Sequence, residues 1–331
     1  MSGTHGLPAG HRIRPFAPDD LAALTRHLVA VATEDRLPFS WTEGIVHDEL
    51  LDYHGLDPSR DLLLVEGPEG LHAAGWVAGA VREGALQLDM DLSVAPGSRR
   101  RGIGRALLRA LEARADERRA EATDGLPTRL TLESHEGRPG GERLATLAGL
   151  TPYRWYAVMG RDLAEPLPGP VPVPGLELRP VEPATIRQAI AALDEAFKDH
   201  FGHREWVEDD YRRLAEGPDV DPSLWVVAWD GDEVAGASHN SIVAAERERV
   251  GIAQGWVDII GVRPRWRGRG LARWLLTETL HRYRSLGLER TVLGVDLDNP
   301  TGALGLYESV GFRPLLRSTM WAKEFPGVPP R

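Results

Sequence analysis

The chain has 331 residues, more than one ordinary hydrophobic core holds and enough for two. Hydrophobic residues at 42% and charged residues at 27% mark a soluble globular protein, and no apolar run approaches the roughly 20 residues of a membrane helix. Acidic residues outnumber basic ones 49 to 39, which argues against a nucleic-acid-binding surface, and the absence of cysteine excludes disulfides, thiolate metal sites and a cysteine nucleophile.

In chain order, 11–15 reads as a strand, and Asp19 or Asp20 caps a helix running to Thr33. A helical pattern over 42–53 leads to an apolar strand at 61–66, and a Gly-Pro-Glu-Gly turn starts a hairpin into 71–81. The strand 85–94 delivers the chain to a turn, and the helix after it, 103–119, has Leu107, Leu111 and Ala115 on one face. A strand at 128–133, a short helix at 142–148 and a closing strand at 153–159 follow. Alternating prolines between Pro166 and Gly175 fit neither sheet nor helix, so this stretch reads as a semi-rigid spacer and the domain boundary.

The second half repeats the plan. A strand at 176–181 and helices at 184–197 and 205–215 precede a hairpin of 224–229 and 233–243 about Asp230-Gly231-Asp232. The strand 254–262 enters a glycine turn, and the helix 271–286 carries Leu275, Leu276, Thr279, Leu280 and Tyr283 three or four apart. A strand at 290–296, a helix at 301–310 and a strand at 312–323 complete it.

The turns themselves show the duplication. Val94, Pro96, Arg99, Gly102 and Gly104 match Val262, Pro264, Arg267, Gly270 and Ala272 in order and spacing. Arg14-Pro15-x-x-Pro18 recurs as Arg179-Pro180-x-x-Pro183, and Ala74-Gly75 as Ala235-Gly236. A period this long means a duplicated domain. The expected architecture is α/β: one domain at 1–164, a linker at 165–175 and a second domain at 176–331. A strand, a glycine turn and a helix N-terminus present unpaired N–H groups and a positive dipole end, which suits phosphate oxygens. A dinucleotide site would need a third small residue, where Leu107 and Arg273 stand instead.

Arg-x-x-Gly-x-Gly/Ala after Val-x-Pro resembles the acyl-CoA signature of the GNAT superfamily of N-acetyltransferases. The run Asn299-Pro300-x-x-Ala303-x-x-Leu306-Tyr307-x-x-x-Gly311-Phe312 is similar to its second signature. The resemblance covers nearly the whole chain as a tandem pair. It implies two GNAT-like domains, each a mixed, mostly antiparallel sheet flanked by helices, with acetyl-CoA as co-substrate and no metal. In the second copy, Arg267, Gly268, Arg269, Gly270, Leu271 and Ala272 would cradle the pyrophosphate. Ile260, Gly261 and Val262 would run along the pantetheine arm, and Asn299 would touch that arm or cap its helix.

The resemblance also makes Tyr307 the donor to the leaving sulfur and Asp258 the acid that relays the amine proton. Asp258 lies four residues before Val262, which strand alternation places on the same side. A satisfied helix tyrosine and a strand-end aspartate are the plainer alternatives, and His239 is a reserve base. Val94, Arg99, Arg100, Arg101, Gly102, Ile103 and Gly104 keep the cradle in the first copy. There Ala145 stands opposite Tyr307, Gly137 opposite Asn299 and Met90 opposite Asp258, so that lobe is expected not to catalyse. The expectation is transfer of an acetyl group to a primary amine of a small molecule by direct attack in a ternary complex. The runner-up is a non-catalytic acyl-CoA-binding or sensor protein. No secretory signal is visible at the start of the chain. A cytoplasmic monomer or homodimer without nucleic-acid or membrane partners is therefore expected.

Overall fold

The computed structural model describes residues 6–327 except 54, 123–124, 199, 202–204, 218–219 and 300–301. The start of the chain, on which the reading of its leader rests, and Pro300 of the second signature lie outside the described residues.

The chain forms two compact units, Met1–Trp155 with Arg317–Arg331, and Tyr156–Leu316. The first half supplies β1 (Arg12–Pro15), α1 (Leu21–Glu34), α2 (Glu43–Ile45), α3 (Pro58–Asp61), β2 (Leu62–Gly67), β3 (Gly70–Arg82), β4 (Ala85–Val94), α4 (Ile103–Glu121), β5 (Thr128–His135), α5 (Pro139–Leu147) and β6 (Thr151–Asp162). The second half supplies β7 (Glu177–Arg179), α6 (Ile186–Phe197), α7 (Glu208–Glu216), β8 (Val226–Asp230), β9 (Glu233–Ser241), α8 (Ala244–Val250), β10 (Gln254–Val262), α9 (Leu271–Ser285), β11 (Arg290–Asp296), α10 (Ala303–Ser309) and β12 (Arg313–Phe325). Among the described residues, no helix is long and apolar enough to cross a membrane.

Each unit is a mixed, mostly antiparallel sheet flanked by helices. In the first unit the strand order is β1-β2-β3-β4-β5-β12, and in the second it is β6-β11-β10-β9-β8-β7. Among the described residues, the one parallel pair in each is β4 with β5 and β10 with β11. The closing strands are exchanged. Residues 156–162 of β6, from the first half of the sequence, pair with 290–296 of β11, and 318–325 of β12 pair with 128–135 of β5.

The exchange moves the boundary away from the expected limits of 164 and 176. It falls inside β6, and the end of the chain belongs to the first unit. The proline-rich stretch is no free spacer either. Val173 is buried against Trp266, Leu271 and Trp274. The Pro168 carbonyl lies 2.9 Å from Nε2 of His281, and that of Pro174 accepts from Arg269 at 3.1 Å. Prolines lose their N–H donors but keep carbonyls, which dock on the side chains of the second unit.

The helices follow from their periodicity. In α9, Leu271, Leu275, Leu276, Leu280 and Tyr283 are buried. Each such side chain contributes about 1.5–3 kcal/mol when removed from water. The hydroxyl of Tyr283 donates to the carbonyls of Trp256 at 2.6 Å and Ser241 at 3.0 Å, pinning β9 to β10. Gly255 lies under that ring, where a Cβ would come within 2.5 Å of it. Local pattern was less decisive elsewhere. The helix expected over 42–53 is one α-turn followed by a π-turn, Val46–Leu51, and the strand expected to reach 243 stops at Ser241, before α8.

Candidate active site

The second unit opens along one strand. β10 and β11 pair in parallel only over Gln254↔Arg290 to Val257↔Leu293. Beyond that point β10 continues on β9 alone, while Gly294, Val295 and Asp296 continue on β6. The register with β9 slips between Val257 and Ile259, a bulge that puts one extra residue into β10. Ile260, Gly261 and Val262 therefore have an edge facing away from β9 that β11 does not pair. Such an edge can bond the amides of an extended ligand.

The unpaired edge leads into the glycine turn. Gly268 and Gly270 have φ of +74° and +85°, the left-handed region that side chains disfavour. Gly270 is the N-cap of α9 and has no capping side chain. Among the described residues, nothing bonds the N–H groups of Gly268, Arg269, Gly270, Leu271 and Ala272. A Cβ on either glycine would meet no atom within 4 Å. The turn is an open set of donors at a helix N-terminus, which fits a diphosphate. Arg267 plays another part. Its Nε donates to the Val262 carbonyl at 3.1 Å and its Nη2 to that of Ala196 at 3.0 Å, so its guanidinium ties the turn to β10 and α6.

Tyr307 is buried in an apolar cluster with Val257, Leu293 and Val295, against which Ile260 packs. It thus sits among residues of both strands that part. Its ring lies 6.0 Å from that of Phe312, and no hydrogen bond to its hydroxyl occurs among the described residues. Burial pushes the phenol up to about 12, so it stays a donor across the neutral range. Asn299 does not cap α10. Gly302, at φ +77°, is the N-cap, and the Asn299 amide lies 2.8 Å from Nε2 of His200. Sequence spacing held no signal for His200, which comes from the far side of the domain sequence.

Asp258 sits at the bulge. One carboxylate oxygen accepts from Ser241 Oγ at 3.1 Å, and the other lies 3.3 Å from Nδ1 of His239. Alternation was therefore misleading. Val262 packs with Leu271 and Trp274 of α9, whereas Asp258 shares the opposite, α6-facing side with His239 and Ser241. The extra residue of the bulge reverses the alternation between them.

The first unit repeats the turn with changes. Gly102 is the left-handed N-cap of α4, at φ +86°, and Arg100, at +61°, stands where the second copy has Gly268. Nε of Arg99 donates to the Val94 carbonyl at 3.2 Å, as Arg267 does to Val262. Its guanidinium is held bidentately by Asp35 at 2.8 and 2.9 Å. Gly104 has an ordinary helical position, matching Ala272. A Cβ on Gly102 would stand 3.1 Å from the Gly6 carbonyl, so chain lies over this turn. Ala145 and Met90 are buried, and no phenol stands at the former's place. β4 has no bulge here, so Met90 matches Val257 as the last residue paired in parallel, and Asp91 is the first beyond it.

Known proteins share the fold and its duplication. The acetyltransferase (GNAT) family matches residues 28–135 and 188–312, one region in each half. The chain is 35% identical over 265 residues to the mycothiol acetyltransferase of Geodermatophilus obscurus, covering 79% of this chain and 82% of that one. It is 36% identical over 263 residues to the mycothiol acetyltransferase of Thermobispora bispora, covering 79% and 83%. A GCN5-related N-acetyltransferase from Sphaerobacter thermophilus superposes with a TM-score of 0.73 at 27% identity, over 97% of this chain and 98% of that one. With both halves matched and the fold shared, the chain belongs to the GNAT family and is an N-acetyltransferase.

Proposed function

We propose that the second unit transfers the acetyl group of acetyl-CoA to the primary amine of a small molecule by direct attack, with no acyl-enzyme. One observation carries this reading: β10 parts from β11 immediately before an uncapped helix N-terminus, with Asp258 at the parting and Tyr307 among the residues of both strands. The free N–H groups from Gly268 to Ala272 hold the diphosphate. The edge at Ile260, Gly261 and Val262 bonds the pantetheine amides.

Attack needs an amine with a free lone pair. Asp258 takes the amine proton, directly or through one water, while the lone pair forms the C–N bond. The carbon–sulfur bond breaks and the sulfur leaves with its electron pair. A phenol at about 12 holds its proton more tightly than a thiol at about 8.5. Tyr307 therefore acts as a hydrogen-bond donor to the developing thiolate, and the sulfur is protonated from solvent. The first unit, with Ala145 in place of the phenol, supports binding or scaffolding. We read the protein as a cytoplasmic monomer or homodimer without a nucleic-acid or membrane partner.

A second reading, favoured by the relatives at 35% and 36% identity, is mycothiol acetyltransferase activity. The deciding experiment follows thiol release from acetyl-CoA with a panel of primary amines: glucosamine, cysteine amide, tyramine and the amine precursor of mycothiol. Turnover with the last alone supports the second reading. Thiol release no faster than the background without amine, across the whole panel, refutes transfer to these small amines.

A further inference from the structure

Among the described residues of the second unit, His239 is a buried ionisable group without a part in the chemistry above. Its side chain is 9% exposed, and neither ring nitrogen makes an aligned hydrogen bond. An unsatisfied polar group so deep costs free energy and calls for a reason. The imidazole stands edge-on to Trp225, ring centroids 4.4 Å apart, and its Nδ1 lies 3.3 Å from Asp258 Oδ2. Catalytic hydrogen bonds are often long until substrate binds, so this is a contact ready to tighten.

Resting on the assignment of Asp258 as proton acceptor, we propose that His239 is a positioning residue that aligns the Asp258 carboxylate for the amine. The Nδ1–H of His239 donates to Oδ2, while Ser241 Oγ donates to Oδ1. Two donors fix the plane of the carboxylate at the bulge and leave its remaining lone pairs for the amine proton. That proton moves from nitrogen to the carboxylate and then to solvent. His239 changes no bonds in the step.

Two variants and two readouts test the proposal. His239→Gln keeps an N–H donor but cannot titrate, and His239→Leu removes the donor. With the best acceptor of the amine panel, the leucine variant is expected to lose about 10²-fold in kcat at neutral pH, the low end of what general-base assistance contributes. The glutamine variant should recover most of that loss, with KM for acetyl-CoA unchanged in both. Equal kcat values for parent and leucine variant, or equal losses in both variants, would overturn it. The second readout needs no acceptor. The His239 ring N–H resonance, assigned by its disappearance in His239→Gln, should move upfield in Asp258→Asn, where a neutral amide replaces the carboxylate acceptor. An unchanged position refutes the contact. If Asp258→Asn itself keeps full kcat, it is the proton-acceptor reading that fails, whatever the resonance shows.

Discussion

Gly270→Val separates the cost of backbone strain from the loss of a binding site. At φ +85° a β-branched residue is strained by about 1–3 kcal/mol. No atom lies within 4 Å of the added Cβ, so no clash is added to that strain. For a unit of this size, each kcal/mol moves Tm by about 2–4 °C, so the protein should stay folded and melt some 2–12 °C lower. Binding should suffer more. If the turn relaxes toward negative φ, the N–H groups at the start of α9 re-aim, and losing two charge-assisted bonds of about 1.5–3 kcal/mol each costs about 3–6 kcal/mol. That corresponds to roughly 10²–10⁴-fold in affinity. Titration calorimetry with CoA on parent and variant, with the melting curve recorded on the same samples, measures both. A Kd within about threefold of the parent, together with the expected drop in Tm, would show that the cradle is not at this turn. The matched variant in the first unit, Gly102→Val, carries the same backbone strain at φ +86°, adds a 3.1 Å approach of its Cβ to the Gly6 carbonyl, and should leave kcat intact.

Tyr307→Phe should lower kcat by about 10²–10³-fold, the loss of one donor to developing negative charge, while acetyl-CoA affinity stays within a few-fold, which single-turnover and binding measurements resolve. Its Tm should be unchanged or slightly higher, since the lost hydroxyl has no partner among the described residues. Burial lowers His27 from 6.5 to about 4, so this imidazole is kept neutral in the fold. A depressed pKa contributes stability that is complete above about 6.5 and is lost as pH falls toward 4. The loss is about 3 kcal/mol, and His27→Gln should flatten that part of the stability–pH curve in urea titrations. Val173→Asp buries a carboxylate against Trp266, Leu271 and Trp274 and should destabilise by several kcal/mol, seen as a lower urea midpoint. A midpoint equal to the parent's would mean that the proline-rich segment does not pack as described.

Most of the element order was legible because its signals are local. Gly268 and Gly270 mark the turn by what their backbone can do, and the three-or-four spacing of Leu275, Leu276, Leu280 and Tyr283 marks α9 by what must be buried. The repeat of Val-x-Pro-x-x-Arg revealed two copies, since a duplicated turn keeps its spacing wherever the copies lie. The glycine turn, contained within a few residues, was legible for the same reason.

What the sequence could not show depends on contacts between distant segments. Prolines from 166 to 174 mark where a chain cannot form a ladder, but not whether its carbonyls find donors such as Arg269. Spacing within one half cannot reveal that β6 pairs with β11 and β12 with β5, because either half offers a strand of suitable pattern. Asp258 illustrates the limit most sharply. Its type and rough position were readable, yet a single extra residue at the bulge decides which face it occupies, and so makes His239 and Ser241 its partners. Strand periodicity has a period of two, so one inserted residue reverses every inference beyond it, and only the pairing of β10 with β9 shows where the insertion lies.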